Sequence, residues 1–369
     1  LIRGGHFTES NARWLRRRGL NNPYRYVKKP PSRVVARFFT GGFMKAMLRA
    51  ALAAVFAVAA FAAQAADKVK VGYIALPSHA PSFIAKEKGY YAAEGLDAEL
   101  VPFQAAQAMA VAIASGDIDF GVTAVSGGLL NLAARGDTVR IFGGALEEAD
   151  GVPGHKILAS KAAFDGGLQS PMELDGKRFA ITTQGSSFEY MGAQIAAKVE
   201  AKVKTVALNN MPAIAAALQA GKVDVAVAQP GIAADLVAKG AAVEIGKVVD
   251  FLPGYQVTVL FTGTKLAQEK PEQMAAFKRA FAKGAADYNA ALVDKSLDAA
   301  ATEAVIAAIH KYVYVDRSAE EASRLIREGA MLISPEARLN RDDVRKQIGW
   351  FKAQKLVPDT LDINALLAD

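Results

Sequence analysis

The sequence predicts an α/β fold built from two similar lobes. Three observations carry that expectation. Apolar, β-rich runs alternate with helical segments from Lys68 to Leu146, the pattern of a parallel or mixed sheet covered by helices. The alternation restarts at Lys177. The second series also repeats the first. When "AMAVAIASGDIDFGVTA" (Ala108–Ala124) is laid over "AIAAALQAGKVDVAVAQ" (Ala213–Gln229), Gly116 falls on Gly221, Asp119 on Asp224 and Val122 on Val227. In each copy an Ala-rich helix ends on glycine, as a left-handed C-terminal residue requires, and an apolar strand with one Asp follows.

In chain order, "KVKVGYIA" (Lys68–Ala75) reads as a strand and Ala80–Gly95 as one helix that stops at a glycine. "DAELVPF" (Asp97–Phe103) alternates as a strand. "AQAMAVAIASG", "DIDFGVTA", "SGGLLNLAARG" and "TVRIFGGAL" then read as helix, strand, helix and strand. In the second series "KRFAITT", "VKTVAL" and "KVDVAVA" are strands, each followed by a helical segment. A strand is expected at Tyr255–Gly263, and the chain from Lys265 onward reads as mostly helical.

The 369 residues carry a net charge of +7 and no cysteine. The basic excess is local. Residues 1–43 hold ten Arg or Lys against one acid, and Lys45 and Arg49 follow, so the first 65 residues hold +11 and leave −4 for residues 66–369. No nucleic-acid partner is expected on that distribution. "MKAMLRAALAAVFAVAAFAAQA" (Met44–Ala65) has the layout of a secretory signal peptide: a basic start, an apolar run from Ala50 to Ala63, and Ala63-Gln64-Ala65 as the site, with cleavage expected after Ala65. The run falls short of the roughly 20 residues that span a bilayer; a retained anchor is the alternative. Translation is expected to start at Met44, with residues 1–43 a mis-assigned extension, because "TGGF" before Met44 can be encoded by a ribosome-binding site. "WLRRRGL" (Trp14–Leu20) lacks the apolar core that a twin-arginine signal needs.

Without cysteine the chain has no disulfide, thiolate metal site, catalytic thiol or lipid-accepting residue at the cleavage site. An exported, unanchored protein points to a Gram-negative periplasm. The expected organisation is lobe one from 66 to 150, lobe two with its crossovers from 151 to 255, and a mostly helical return to lobe one from 256 to 369.

In open α/β sheets ligands bind beyond the carboxyl ends of strands, where helices begin. Five loops have that character: Leu76–His79, Thr123–Ser126, Thr183–Ser187, Gln229–Gly231 and the crossover around Glu147–His155. If both lobes aim them inward, the cleft is lined with hydroxyl and amide groups. Few Lys or Arg fall in these loops, so a neutral, heterocyclic or monoanionic organic solute is expected.

"AKEKGYYAAEGLDAELVPF" (Ala85–Phe103), "ASGDIDFGVTA" (Ala114–Ala124), "ELDGKRFAI" with "GSS" (Glu173–Ser187) and "WFKAQKLVPDTLDINALL" (Trp350–Leu367) resemble the nitrate/sulfonate/taurine/thiamine-precursor (NMT1/THI5-like) family of periplasmic substrate-binding proteins of ABC transporters. The resemblance runs in order over nearly all of residues 66–369. It implies a two-lobed periplasmic-binding-protein fold of type II with two crossovers, a cleft between lobes, and an ABC permease and ATPase as partners. A monomer is expected. The sulfonate-binding relatives hold an anionic head on a Gly-Ser-Ser turn, which Gly185-Ser186-Ser187 matches. They often carry an aromatic and an acid where this chain has Ala228-Gln229-Pro230, a departure that puts sulfonate as the ligand in doubt.

The candidate ligand-binding residues are Ser78, His79, Thr123, Ser126, Gln184, Gly185, Ser186, Ser187, Gln229 and Tyr255. Each has a structural alternative. Ser186 and Ser187 read as helix caps with Glu189 closing a capping box, although amides at a helix start also suit a ligand oxygen. Ser78, His79, Thr123 and Ser126 open helices. Gln229 offers both donor and acceptor, and Tyr255 is either cleft wall or core. Glu147, Glu148 and Asp150 read as a solvated acidic turn, and His310 as structural. Gly185-Ser186-Ser187-Phe188-Glu189 lacks the second glycine of a nucleophile elbow, so no catalytic residue is expected. No metal motif and no cofactor are expected. Two other functions stay open: an enzyme of this fold in thiamine-pyrimidine or menaquinone synthesis, and a periplasmic sensor subunit. The pyrimidine synthases of the family carry a Cys-rich motif and work inside the cell, against the missing cysteine and the export signal here.

Overall fold

A computed structural model describes residues 66–136 and 138–367. The N-terminal extension, the signal segment and its cleavage site lie outside them.

Two five-stranded sheets organise these residues. The first contains β1 (Asp67–Tyr73), β2 (Leu96–Pro102), β3 (Phe120–Ala124), β4 (Val139–Gly144) and β10 (Thr258–Gly263), in the order β2-β1-β3-β10-β4. The second contains β5 (Lys156–Ser160), β6 (Arg178–Ile181), β7 (Lys204–Ala207), β8 (Val225–Ala228) and β9 (Ala242–Lys247), in the order β7-β6-β8-β5-β9. Each sheet has four strands of one sense and one antiparallel strand that arrives from the other sheet: β10 runs against β3 and β4, and β5 against β8 and β9. The chain therefore crosses twice between sheets, after β4 and after β9.

The repeated Gly and Asp explain the shared design. Gly116 and Gly221 stand at φ +81° and +62°, which only glycine adopts freely, and turn helix into strand. The following Asp then docks onto the neighbouring strand. Asp119 Oδ2 accepts the Lys70 N–H at 2.8 Å, and Asp224 Oδ2 accepts the Arg178 N–H at 2.7 Å. The Asp backbone amides donate to the Lys70 and Arg178 carbonyls at 2.9 and 3.0 Å. A side chain thus extends the ladder where two strands begin.

Helices cover the sheets: α1 (Ala80–Glu87), α2 (Ala106–Ser115), α3 (Gly127–Gly136), α4 (Ser187–Lys198), α5 (Met211–Gln219) and α6 (Pro230–Ala238) each follow a strand or its loop. From Lys265 the chain is mostly helical, including α7 (Pro271–Tyr288), α8 (Ala299–His310), α9 (Ala319–Glu328) and α10 (Arg341–Ala353). Phe277 of α7 stacks on Phe120 of β3 at 4.2 Å between ring centroids, which fastens the C-terminal helices to the first sheet. The invading Trp350-Phe351 motif of α10 packs against Tyr190 of α4 at 5.3 and 6.1 Å.

The structure departs from the sequence expectations at three places. Ala80–Gly95 is two helices, because Gly89 at φ +72° breaks it after Glu87. β5 and β9 are additional strands, of five and six residues, outside the runs read as strands from the sequence. The strand expected from Tyr255 begins at Thr258, because the residues before it belong to the crossover.

Candidate functional site

A cavity of about 440 Å3 lies between the two sheets. The starts of α1 to α6 all meet it, since a residue in the first turn or just before each helix lines the wall. This follows from the topology: strands of both sheets end at the cavity and hand over to helices there. Helix starts carry partial positive charge and unpaired amides, so the wall favours ligand acceptors. Among the described residues no Lys, Arg, Asp or Glu lines it.

Nine of the ten residues singled out from the sequence line this cavity: Thr123 from the end of β3, Ser78, His79 and Ser126 from the first sheet's loops, and Gln184, Gly185, Ser186, Ser187 and Gln229 from the second's. The two sets touch. Gln229 Nε2 donates to Ser78 Oγ at 3.3 Å, and the Gly127 N–H donates to the Gly185 carbonyl at 2.8 Å. Gly185 stands at φ +76°, and a Cβ there would lie 3.5 Å from Gly127 Cα. Glycine is therefore favoured at 185 by its left-handed backbone conformation, while a Cβ there would meet Gly127 only at ordinary van der Waals distance.

The turn that opens α4 divides its work. Ser186 is the N-cap: its Oγ accepts the Glu189 N–H at 3.3 Å. Glu189 reaches back to the Gly185 N–H at 2.5 Å rather than to the cap residue's own amide, because the Ser186 N–H already donates to the Thr183 carbonyl at 3.1 Å. The capping box is thus shifted by one residue, and the Gly185 amide is not available to a ligand. Ser187 is buried, lines the cavity, and its hydroxyl has no partner among the described residues. On lobe one, Ser126 Oγ accepts the Leu129 N–H at 3.3 Å and so caps α3.

His79 is buried, and burial pushes its imidazole down to about 3. Its Nδ1 faces the Ile74 N–H at a long 3.5 Å. Neutral imidazole with an accepting Nδ1 keeps its hydrogen on Nε2.

Tyr255 corrects the sequence reading. It is absent from the cavity wall and is fully buried, stacked on Tyr190 at 5.3 Å in the aromatic cluster that holds α4 to α10. Val257 and Thr258, just beyond it, line the cavity instead. The acidic turn is also corrected. Asp150 is exposed, Glu147 accepts the Ser334 hydroxyl at 3.0 Å, and Glu148 is fully buried against His155. His310 packs its Nε2 3.1 Å from the Tyr314 carbonyl and does not line the cavity.

Several wall residues were not singled out from sequence. Phe103, Gln104 and Gln107 follow β2, and Asn209, Asn210 and Met211 follow β7. Both loops obey the same strand-to-helix rule as the loops that were recognised, so the repeat would have found them. His155 lies at the edge of the recognised crossover, and Phe188 adds an aromatic face. Among the described residues no group of three or more His, Asp or Glu is placed to hold a metal ion, and no helix is long and apolar enough to cross a membrane.

No curated protein matches the sequence. Among solved structures, the fold is similar to an alkanesulfonate-binding protein of Xanthomonas axonopodis pv. citri bound to MOPS (16% identity, TM-score 0.62, covering 82% of this chain and 98% of that one). It is similar as well to the periplasmic aliphatic sulphonate binding protein of Escherichia coli (19%, 0.63, 82% and 92%). A third likeness is to the periplasmic nitrate-binding protein of Synechocystis PCC 6803 (15%, 0.61, 81% and 84%). These likenesses show the two-lobed periplasmic-binding-protein fold, with a mixed sheet in each lobe and the cleft between them. The NMT1/THI5-like family profile matches residues 76–291, well over half of the sequence, and the chain belongs to that family.

Proposed function

We propose that this protein captures a small organic solute in the cavity between its lobes and delivers it to an ABC importer. One observation carries the reading: the cavity is built by loops of both sheets, so a solute held there touches both lobes and favours their closed arrangement. Family membership and the fold it shares with binding proteins of import systems support it. The uncharged wall, rich in hydroxyl and amide groups with Phe103 and Phe188 among them, fits a neutral, heterocyclic or monoanionic solute. The volume suits a ligand of metabolite size.

The protein works in the periplasm as a monomer, exported by the Met44–Ala65 segment and cleaved after Ala65. N-terminal sequencing of the exported product tests this; an N-terminus at Leu1 or a membrane-bound product contradicts it. The residues that hold the solute are Ser78, His79, Thr123, Ser126, Gln184, Ser187 and Gln229, with Gly185 and Ser186 shaping the turn. The site binds and does not transform.

A thermal-shift screen against small organic acids, amides, sulfonates, pyrimidines and flavins tests the reading. A solute present at 100 times its Kd adds about 2.7 kcal/mol of stability. Absence of any shift across these classes, or turnover of the solute that binds, contradicts it.

A further inference from the structure

The crossover between β4 and β5 places a buried ionisable pair behind the cavity wall. His155 is 1% exposed and Glu148 0%. Glu148 Oε1 lies 2.6 Å from His155 Nδ1 and also accepts the His155 backbone N–H at 3.0 Å. The loop wraps closely round this carboxylate: a Cβ at Gly154 would fall 2.1 Å from Glu148 Oε2. Phe188 sits edge-on to the imidazole at 6.4 Å. A carboxylate that already takes one N–H accepts a second from Nδ1, so the ring's hydrogen is held on Nδ1. Nε2 is the atom left over, on a residue that lines the cavity and has no other hydrogen-bond partner among the described residues.

His79 enters from the opposite lobe with the opposite arrangement. Its Nδ1 faces a backbone N–H, which leaves Nε2 as the donor, and it also lines the cavity. We propose that the two buried histidines give the cavity opposite hydrogen-bonding polarities, His79 donating and His155 accepting, and that the solute is an uncharged molecule carrying a donor beside an acceptor, of the amide or lactam class. His155 contacts the solute, and Glu148 is a positioning residue that fixes its tautomer. A carboxylate ligand lacks the donor, and it would set its charge against the His155 lone pair with the Glu148 charge behind it. Among the described residues no Lys or Arg on the wall offsets that repulsion. The inference rests on the solute-binding reading and narrows its ligand class.

The first arm of the test needs no solute. Long-range 15N–1H correlation spectra of the full chain at pH 8, above the ordinary range of imidazole, report the tautomer of each of the four histidines. Resonances are assigned by elimination with His6→Gln, His79→Asn and His310→Gln. The expected result is hydrogen on Nδ1 at His155 and on Nε2 at His79. A doubly protonated His155, or the same tautomer at both sites, overturns the proposal. Glu148→Gln is expected to loosen the His155 tautomer; a merely structural role would leave it unchanged wherever the variant folds.

The second arm titrates matched pairs: benzamide and benzoate, nicotinamide and nicotinate, propionamide and propionate. At least one amide is expected to bind about tenfold or more tightly than its carboxylate. Tighter binding of the carboxylates, or binding of anions from the wider screen with none of the amides, overturns the ligand class and leaves the solute-binding reading standing. If no solute of any class binds, that reading falls and takes the ligand class with it, whatever the tautomers.

Discussion

The two copies of the repeat share a frame and differ in how it is fastened. In the first sheet Asp119 takes one backbone N–H from β1, and the Lys70 side chain stays out of the contact. In the second, Asp224 takes the backbone N–H of β6 and also the Arg178 guanidinium, at 3.0 Å from Nε and 2.6 Å from Nη2. The same guanidinium donates to the Gly221 and Lys222 carbonyls at 2.9 and 2.6 Å, at the end of α5. The second sheet is thus clamped where the first is only paired. The loops beyond the strands diverge further. β3 leads into Val125 and Ser126, whereas β8 leads into Gln229 and Pro230. The frame residues repeat because they hold strands; the loop residues do not, because each lobe presents a different half of the cavity.

The largest effect is expected where the halves meet. Gly185→Leu forces a left-handed backbone on a branched side chain, about 1–2 kcal/mol of strain, at a position whose Cβ already meets Gly127 at van der Waals distance. Solute binding is expected to be lost in calorimetric titration while the circular dichroism of the fold persists. Retained binding would show that the Gly127–Gly185 approach is not needed for the closed cavity.

The clamp predicts an asymmetry in stability. Asp224→Ala strips partners from a backbone amide and a guanidinium, and is expected to cost more in urea unfolding than Asp119→Ala, which loses one backbone partner at about 1 kcal/mol. Equal losses would mean that the guanidinium adds nothing to the ladder contact. The Arg178 hydrogen bond also holds the Asp224 carboxyl below its ordinary value. Its contribution is present above the unfolded carboxylate pKa and fades as pH falls through the lowered folded value, so the gap between the two variants is expected to narrow in acid.

His79 gives lobe one a pH dependence of its own. Its folded pKa of about 3 lies below the unfolded 6.5, so the unfolded chain binds the extra proton first. Stability from this residue is full above about pH 6.5 and falls below it, by up to about 1.4 kcal/mol per pH unit. His79→Asn is expected to flatten that slope in melting curves between pH 7 and 5; an unchanged slope would place the titration elsewhere.

The comparison also shows what was legible in the sequence. Periodicity and the Gly–Asp register were enough for two α/β lobes and for most strands, because those signals are local. β5 and β9 were not read as strands although they are longer than β6, β7 and β8; their pairing partners lie far along the chain. The strand-to-helix rule located the cavity loops. It failed at Tyr255, where aromatic packing against Tyr190 removes the side chain from the wall. It undervalued Glu148, which reads as a solvated acid unless the burial of His155 beside it is known.

The central claim is that the turn opening α4 binds the solute and does not merely start a helix. The structure separates the two roles by one residue: Ser186 caps, and Ser187 offers an unpartnered hydroxyl to the cavity. Ser186→Ala is expected to cost about 1 kcal/mol of stability and serves as the control. Calorimetric titration of Ser187→Ala, with the solute found in the screen, is the direct measurement. Affinity weakened by about 1–2 kcal/mol with the melting temperature nearly unchanged is the predicted result. Unchanged affinity in a folded Ser187→Ala protein would contradict the claim.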